Sequence, residues 1–426
     1  MSSDIAPFSK LSQELIDEII DALLDPQEAE HKISQFCDCA LVCRAFRHRS
    51  QNHAFYSMRP LQFRANANCR KRVDDLHGIL QENPRIASYI RRLDLIMNDT
   101  NEWLFDDSFF CEIMEIVSKT RAVVNLELSV YGWPRPFQFT NNRTFETRFV
   151  KPFITPFITS LDLHFINNIP VSLLAHCPHL LELKLVWVTV EAIRPFDAID
   201  IDHSLCPRPR KFTFESCGDT IRILVTGYVD FGNLQHLSVS GCRSDELDDV
   251  NLILDTSSSS LQHLHLGVED LEARLDLGKV PNLASLSIFP IRLDEDSLVE
   301  LCNLLRTIPN EKFKIKTIAL GFKEQLDDVY SLAEFLEKLE ASGPLCAVLI
   351  KLAERELLVV KFMLDISLIY DNDMEGILEQ RNTGMQVCER LNTEMQMWVA
   401  KNLELTNLLS STLCLEYDYE VDIMYQ

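Results

Sequence analysis

The sequence predicts an α/β solenoid of parallel strands and connecting helices, preceded by a small all-α segment and followed by a helical C-terminal segment. Three observations lead there. An amphipathic helical stretch opens the chain between Leu11 and Tyr56. One apolar-x-x-apolar-x-apolar pattern recurs through the middle at intervals of about one supersecondary unit. Helical periodicity then returns towards the end. The expected boundaries are 8–58 for the first helices, 59–88 for a linker helix, 89–365 for the array and 366–426 for a helical, acidic cap or tail.

In the opening stretch Leu11, Leu15, Ile16, Ile19, Ile20 and Leu23 recur at helical spacing, so a helix from about Ser12 to Leu24 carries one broad apolar face. Ser12 suits the N-cap, and Asp25-Pro26 ends the helix. A second amphipathic run interleaves Ile33, Phe36, Ala40, Leu41, Cys43 and Phe46 with Arg44, Arg47 and Arg49. Short helices in so few residues bury too little apolar surface to stand alone. The leftover stripe is either a docking face for another protein or the inner side of an ordinary hairpin packed on its own domain.

Beyond Pro60, Val73, Leu76, Ile79 and Leu80 mark a helix ended by Asn83-Pro84. The recurring pattern then begins at Ile90, Val123, Ile158, Leu180, Pro209, Leu234, Leu261, Leu283 and Ile315. Single matches carry little weight in a chain this apolar; spacing and flanks carry more. Pro178-His179-Leu180, Gly232-Asn233-Leu234 and Pro281-Asn282-Leu283 share an approach to the strand. The position eight residues after the start is Asn98, Cys217 or Cys242 in three copies. Helical connectors are predicted at Phe109–Lys119, Val171–Ala175 and Ser297–Leu305. A strand–helix unit cannot bury its own apolar face, so neighbours must stack.

After Gly321, Leu326–Leu339 has helical periodicity and stops at Ser342-Gly343-Pro344. Val348–Ala353 fits strand or helix, and Leu357–Leu364 is a candidate last strand. Val387, Leu391, Met395 and Trp398 form a helical stripe that either caps the array or binds a partner, and Glu416–Asp422 reads as a solvated tail.

Composition excludes several classes. With 426 residues, 46% apolar and 25% charged, the chain is ordinary in bulk. Its formal charge of −23 disfavours nucleic acid and anionic membrane surfaces as partners. No run approaches a membrane span and no secretory signal is evident, so a reducing cytoplasmic or nuclear setting is expected. Cys37, Cys39 and Cys43 lack a paired zinc spacing and are expected to be small buried hydrophobes. No nucleophile elbow, phosphate loop, zinc-helix or dinucleotide motif occurs, so no catalytic residue, cofactor or metal is assigned and the protein is not expected to be an enzyme.

Leu11-x-x-Glu14-Leu15-x-x-x-Ile19, then Leu41-Val42-Cys43-Arg44-x-Phe46, then Phe55-Tyr56 resemble an F-box, the segment that ties a substrate receptor to the adaptor of an SCF (cullin–RING) ubiquitin ligase. The family's proline after the first leucine is replaced by Ser12. With the repeat array behind it, the chain resembles the F-box/leucine-rich-repeat family, in its fungal type. The resemblance implies an irregular leucine-rich-repeat horseshoe and a division of labour. Leu11, Leu15, Ile19, Leu23, Leu41, Val42, Arg44 and Phe46 would hold the adaptor, and through it the cullin. The repeats would present an unknown protein substrate for ubiquitin-dependent degradation, with the chemistry done by a conjugating enzyme nearby. The alternative is a non-ligase repeat scaffold with a drifted F-box-like hairpin.

Strand alternation puts the third and fifth residues of each copy on the open face. There Asp94, Glu127 and Asp162 are predicted to form a carboxylate column with His164 alongside. Stacked like charges need a basic answer, either a Lys/Arg-rich segment of a substrate or Arg92 and water. His236, His263 and His265 are predicted to cluster in the same way further along.

Overall fold

The structure, a computed structural model, describes residues 11–22, 33–58, 67–97, 107–130, 137–138, 151–153, 155–175, 177–191, 206–242, 246–267, 275–292, 294–308, 314–326, 343–353, 358–370 and 413–425. It divides into two compact units, one of Met1–Leu181 with Val190–Pro207 and one of Glu182–Thr189 with Arg208–Gln426.

The first unit opens with helices α1 (Gln13–Ala22), α2 (Ile33–Val42) and α3 (Arg44–Ala54). Ser12 caps α1 as expected, its Oγ accepting from the Leu15 N–H at 3.4 Å. Cys43 is fully extended, and this single residue separates α2 from α3. Ile16, Ile20, Phe36 and Phe46 form a small core, with Cys39 and Cys43 packed against it. Cys37, by contrast, is exposed, because its neighbour Phe36 takes the inward position.

The chain runs straight from α3 into β1 (Ser57–Met58), which pairs in parallel with β2 (Arg92–Met97). The Tyr56 carbonyl accepts from the N–H groups of Arg91 and Arg92 at 2.9 and 3.0 Å. The helical segment is thereby stitched to the edge of the sheet. Between β1 and β2 lies α4 (Ala67–Glu82), expected as a linker helix. It packs on α5 (Ser108–Thr120), with His77 stacked on Phe109 and its Nε2 2.7 Å from Glu112. β3 (Asn125–Val130) and β4 (Ser160–His164) follow in parallel, and α6 (Val171–Ala175) closes the set.

The second unit holds β5 (Glu182–Val186), β6 (Lys211–Glu215), β7 (His236–Ser240), β8 (His263–Gly267), β9 (Ser285–Ile291), β10 (Thr317–Leu326), β11 (Leu358–Tyr370) and β12 (Leu413–Tyr425). Each pairs in parallel with the next, in sequence order. Parallel neighbours require a return segment. Between β6 and β7 it contains α7 (Thr220–Val225), between β7 and β8 α8 (Leu247–Thr256), between β9 and β10 α9 (Glu295–Arg306) and between β10 and β11 α10 (Gly343–Ala353). No helix among the described residues is long and apolar enough to cross a membrane.

The architecture is therefore α/β with parallel strands, as expected. The strands β2 to β10 each begin two residues after a predicted start, and within each unit their third positions align in register. Within the strands, leucines such as Leu126, Leu183, Leu237 and Leu264 are buried while their neighbours are partly exposed. Sheets of doubly wound proteins bury both faces. These strands bury one.

A turn residue in the left-handed region comes directly after several strands: Phe165 after β4, Trp187 after β5, Ser216 after β6 and Gly241 after β7. Next to it comes the position eight residues after each predicted start. Cys217 fills it, buried, with Sγ 3.4 Å from the Leu185 carbonyl and 3.2 Å from that of Glu215. Burial pushes its thiol pKa up to about 11. Cys242 is buried in the same slot and its thiol is likewise shifted upward by desolvation. Asn98 lies outside the described residues.

The helical C-terminal segment needs correction. Leu357–Leu364 does contain a strand, but β11 runs on to Tyr370, and β12 occupies Leu413–Tyr425 where helix and a solvated acidic tail are expected. The reason lies in the period: Leu413, Leu415, Tyr417, Tyr419, Val421, Ile423 and Tyr425 alternate strictly with mostly acidic residues, a repeat of two. Val348–Ala353 is helical, within α10. Leu326 ends β10, and the rest of the helix expected to Leu339 lies outside the described residues, as does the stripe Val387, Leu391, Met395 and Trp398.

Candidate docking surface and strand-face sites

α1 is apolar on two sides. Ile16 and Ile20 point into the small core at 2% and 0% exposure. Leu11, Leu15 and Ile19, spaced four residues apart, remain exposed on another side. At the end of α2, Leu41 and Val42 stand 80% and 60% exposed, with exposed Arg44 just beyond at the start of α3. Of the remaining adaptor candidates, Leu23 lies outside the described residues. Phe46 faces the other way: at 6% exposure it is a core residue, since it sits on the side of α3 that meets α1.

The frame that holds these helices is polar. Arg49 grips Asp21 with two nitrogens, Nε at 2.7 Å and Nη2 at 2.6 Å, while His53 Nε2 lies 2.8 Å from the same carboxylate. The Arg49 hydrogen bond holds the Asp21 pKa below its ordinary value, against a smaller desolvation effect. Gln13 adds a bond from its amide to the Ala45 carbonyl at 2.9 Å. Both ends of α1 are thus fixed to α3, and the outward apolar row keeps its direction.

On the strands of the first unit the predicted carboxylate column forms. Asp94 is level with Glu127, and Glu127 with Asp162. His164 stands beside Ser129, two residues along from Asp162, and its Nε2 is 2.6 Å from Asp162 Oδ1. Arg92 answers the other two: its Nε lies 2.6 Å from Asp94 and its Nη2 bonds Glu127. Ser57 also donates to Asp94 at 3.1 Å, and Asp94 is buried at 6% exposure. Of the two answers expected for the stacked charges, Arg92 is in place on Asp94 and Glu127, and Asp94 is buried.

The histidines of the second unit do cluster. His236 and His263 occupy level positions on β7 and β8, with rings stacked 4.3 Å apart and 5° from parallel. His265 lies one pleat further along β8, its Nδ1 3.1 Å from Ser287 Oγ. With Lys211, Thr213, Ser238, Ser285 and Ser287 they line a shallow cavity of about 210 Å³. The alternation that finds the histidines also puts Lys211, Thr213, Ser238, Ser285 and Ser287 on the open face. Strand register sets them level with one another.

A scan against models of known protein families finds no match, and no curated protein aligns with this chain.

Proposed function

We propose that the chain is an F-box/leucine-rich-repeat protein that serves as the substrate-recognition subunit of an SCF-type ubiquitin ligase. In this reading the parallel array is a leucine-rich-repeat solenoid, and the protein itself carries out no chemistry. One observation carries it: α1 and the end of α2 turn Leu11, Leu15, Ile19, Leu41 and Val42 outward although the same helices already bury Ile16, Ile20 and Phe36. Large apolar side chains left exposed on helices whose own core is complete support an interaction site. Arg44 at its rim adds a hydrogen-bonding group suited to the edge of an interface. The adaptor would cover this surface and bring the cullin; the strand faces would receive the substrate.

The test is co-expression of the full chain with the SCF adaptor. Recovery of a stoichiometric complex is expected, and Leu15→Asp or Leu41→Asp should abolish it while leaving the melting temperature within a degree or two, because neither side chain is buried. A chain that stays monomeric beside the adaptor, or a complex indifferent to both substitutions, overturns the reading and leaves a repeat scaffold with a drifted F-box-like hairpin.

A further inference from the structure

We infer that the open face of β6–β9 binds an extended, carboxylate-rich segment of a partner protein. The inference deepens the functional reading above, since it names the chemistry of the substrate segment. It depends on that reading only for the fate of the bound partner.

The open positions of these strands are Lys211 and Thr213 on β6, His236 and Ser238 on β7, His263 and His265 on β8, and Ser285 and Ser287 on β9. None is a carboxylate, in a chain whose formal charge is −23. Every one can donate a hydrogen bond from its side chain. The first unit makes the contrast: there the equivalent positions carry Asp94, Glu127 and Asp162, with Arg92 paired to the first two and His164 beside the third. Charged groups from the flanking strands are few. Glu182 and Lys184 stand on β5, Glu215 sits at the far end of β6, and β10 contributes the neutral Thr317 and Ala319. Among these open positions Lys211 is therefore the fixed cation, with Glu182 level with it on one side and His236 on the other.

Ligand geometry selects among anions. Phosphate recognition favours arginine, whose planar fork binds two oxygens at once. None of the open positions on β6–β9 is an arginine. They offer single donors spread over four strands, each able to meet a carboxylate oxygen of a separate side chain. The cavity is too shallow to engulf a cofactor and is open along the sheet. A metal ion is disfavoured by the ring stack, because parallel imidazoles 4.3 Å apart present faces to one another.

Binding should be linked to protons. Desolvation lowers the pKa of His236 and of His265 below the usual imidazole value, and the neighbouring His263 and Lys211 lower His236 further. His236 and His265 are thus uncharged on the free face at pH 7.5. A bound carboxylate favours the imidazolium form, so affinity should rise as pH falls, over a range in which glutamates remain ionised.

The experiment uses the full chain and two fluorescein-labelled eight-residue peptides, one alternating Glu and Ser and one alternating Lys and Ser, monitored by anisotropy at pH 7.5 and 5.5. The Glu peptide is expected to bind at least about tenfold tighter than the Lys peptide and to tighten by about threefold or more at the lower pH. Lys211→Glu should weaken it about tenfold at both pH values, with Lys211→Gln as a milder check on folding. The double variant His236→Gln, His263→Gln should flatten the pH dependence. Equal binding of the two peptides, no binding of the Glu peptide, or indifference to Lys211→Glu overturns the inference. The assay contains no adaptor. Peptide binding without adaptor capture would therefore keep this site and sink the ligase, and the converse result would do the reverse.

Discussion

The thiol of Cys217 reaches across to the carbonyl of Leu185, 32 residues earlier and on the adjacent strand, at 3.4 Å. One sulfur in one slot ties two successive turns of chain together beneath their exposed bend. Replacement by alanine removes the donor and leaves a small void, which should cost about 1–3 kcal/mol in chemical denaturation. Burial holds the thiol at about 11, far above solution pH, so the reactive thiolate is scarce. Maleimide labelling of the folded protein at pH 7.5, mapped by mass spectrometry, should therefore mark exposed Cys37 within minutes and spare Cys217. Rapid labelling of Cys217 would refute the slot assignment.

Gly241 answers the same geometric demand on the next turn. Its φ is +61°, and a Cβ added there would stand 2.3 Å from Ser216 Oγ. Gly241→Ala should destabilise by about 1–3 kcal/mol, part from the left-handed backbone and part from the collision. Adding Ser216→Ala should return the collision part alone. A double-mutant cycle with no coupling would show that the two side-chain positions do not meet.

Asp21 joins α1 to α3 through Arg49 and His53. Because both Asp21 and Arg49 are about a third or more exposed, solvent screens the pair, and Asp21→Asn should cost only about 1 kcal/mol. The pH dependence has a definite sign. The folded pKa lies below the unfolded one, so the contribution is present above the unfolded carboxylate value of about 4 and disappears as pH falls through the folded value. Melting curves of the two proteins should run apart at pH 7 and converge towards pH 3; a gap that widens on acidification contradicts the pairing.

Arg92 holds the carboxylate column. Arg92→Leu leaves buried Asp94 beside Glu127 without this cation and should cost about 1–3 kcal/mol, less than a wholly buried pair because Arg92 is itself half-buried. Asp94→Asn in the same background should recover part of the loss by removing one of the repelling charges. Unaltered stability in the single variant would mean that water, and not Arg92, answers the column.

Much of the framework is legible along the chain. A period-two core pattern, repeated at Ile90, Val123 and their successors, places the strands from β2 to β10 because each buries its leucines on one side only. Phe109–Lys119, Val171–Ala175 and Ser297–Leu305 are recognisable as helices from their spacing, and α5, α6 and α9 stand there. The β12 strand escapes such a reading because its acidic residues suggest a solvated tail and mask the alternation beneath them. Phe46 is misplaced on the docking surface because helical spacing gives an apolar stripe without saying which neighbour will cover it.

The amino-acid order by itself determined where most strands and helices lie and which residues share a strand face, since those arise from local periodicity within a few residues. Only the tertiary structure decided which charges meet. Arg92 beside Glu127, Arg49 on Asp21 and His236 stacked on His263 join residues tens of positions apart, brought level by the register of parallel strands and the packing of helices. Hydrogen bonds and ion pairs act over a few ångströms, so the pairing of Arg92 with Asp94 and Glu127 is settled in space, while the face left rich in donors lies on β6–β9.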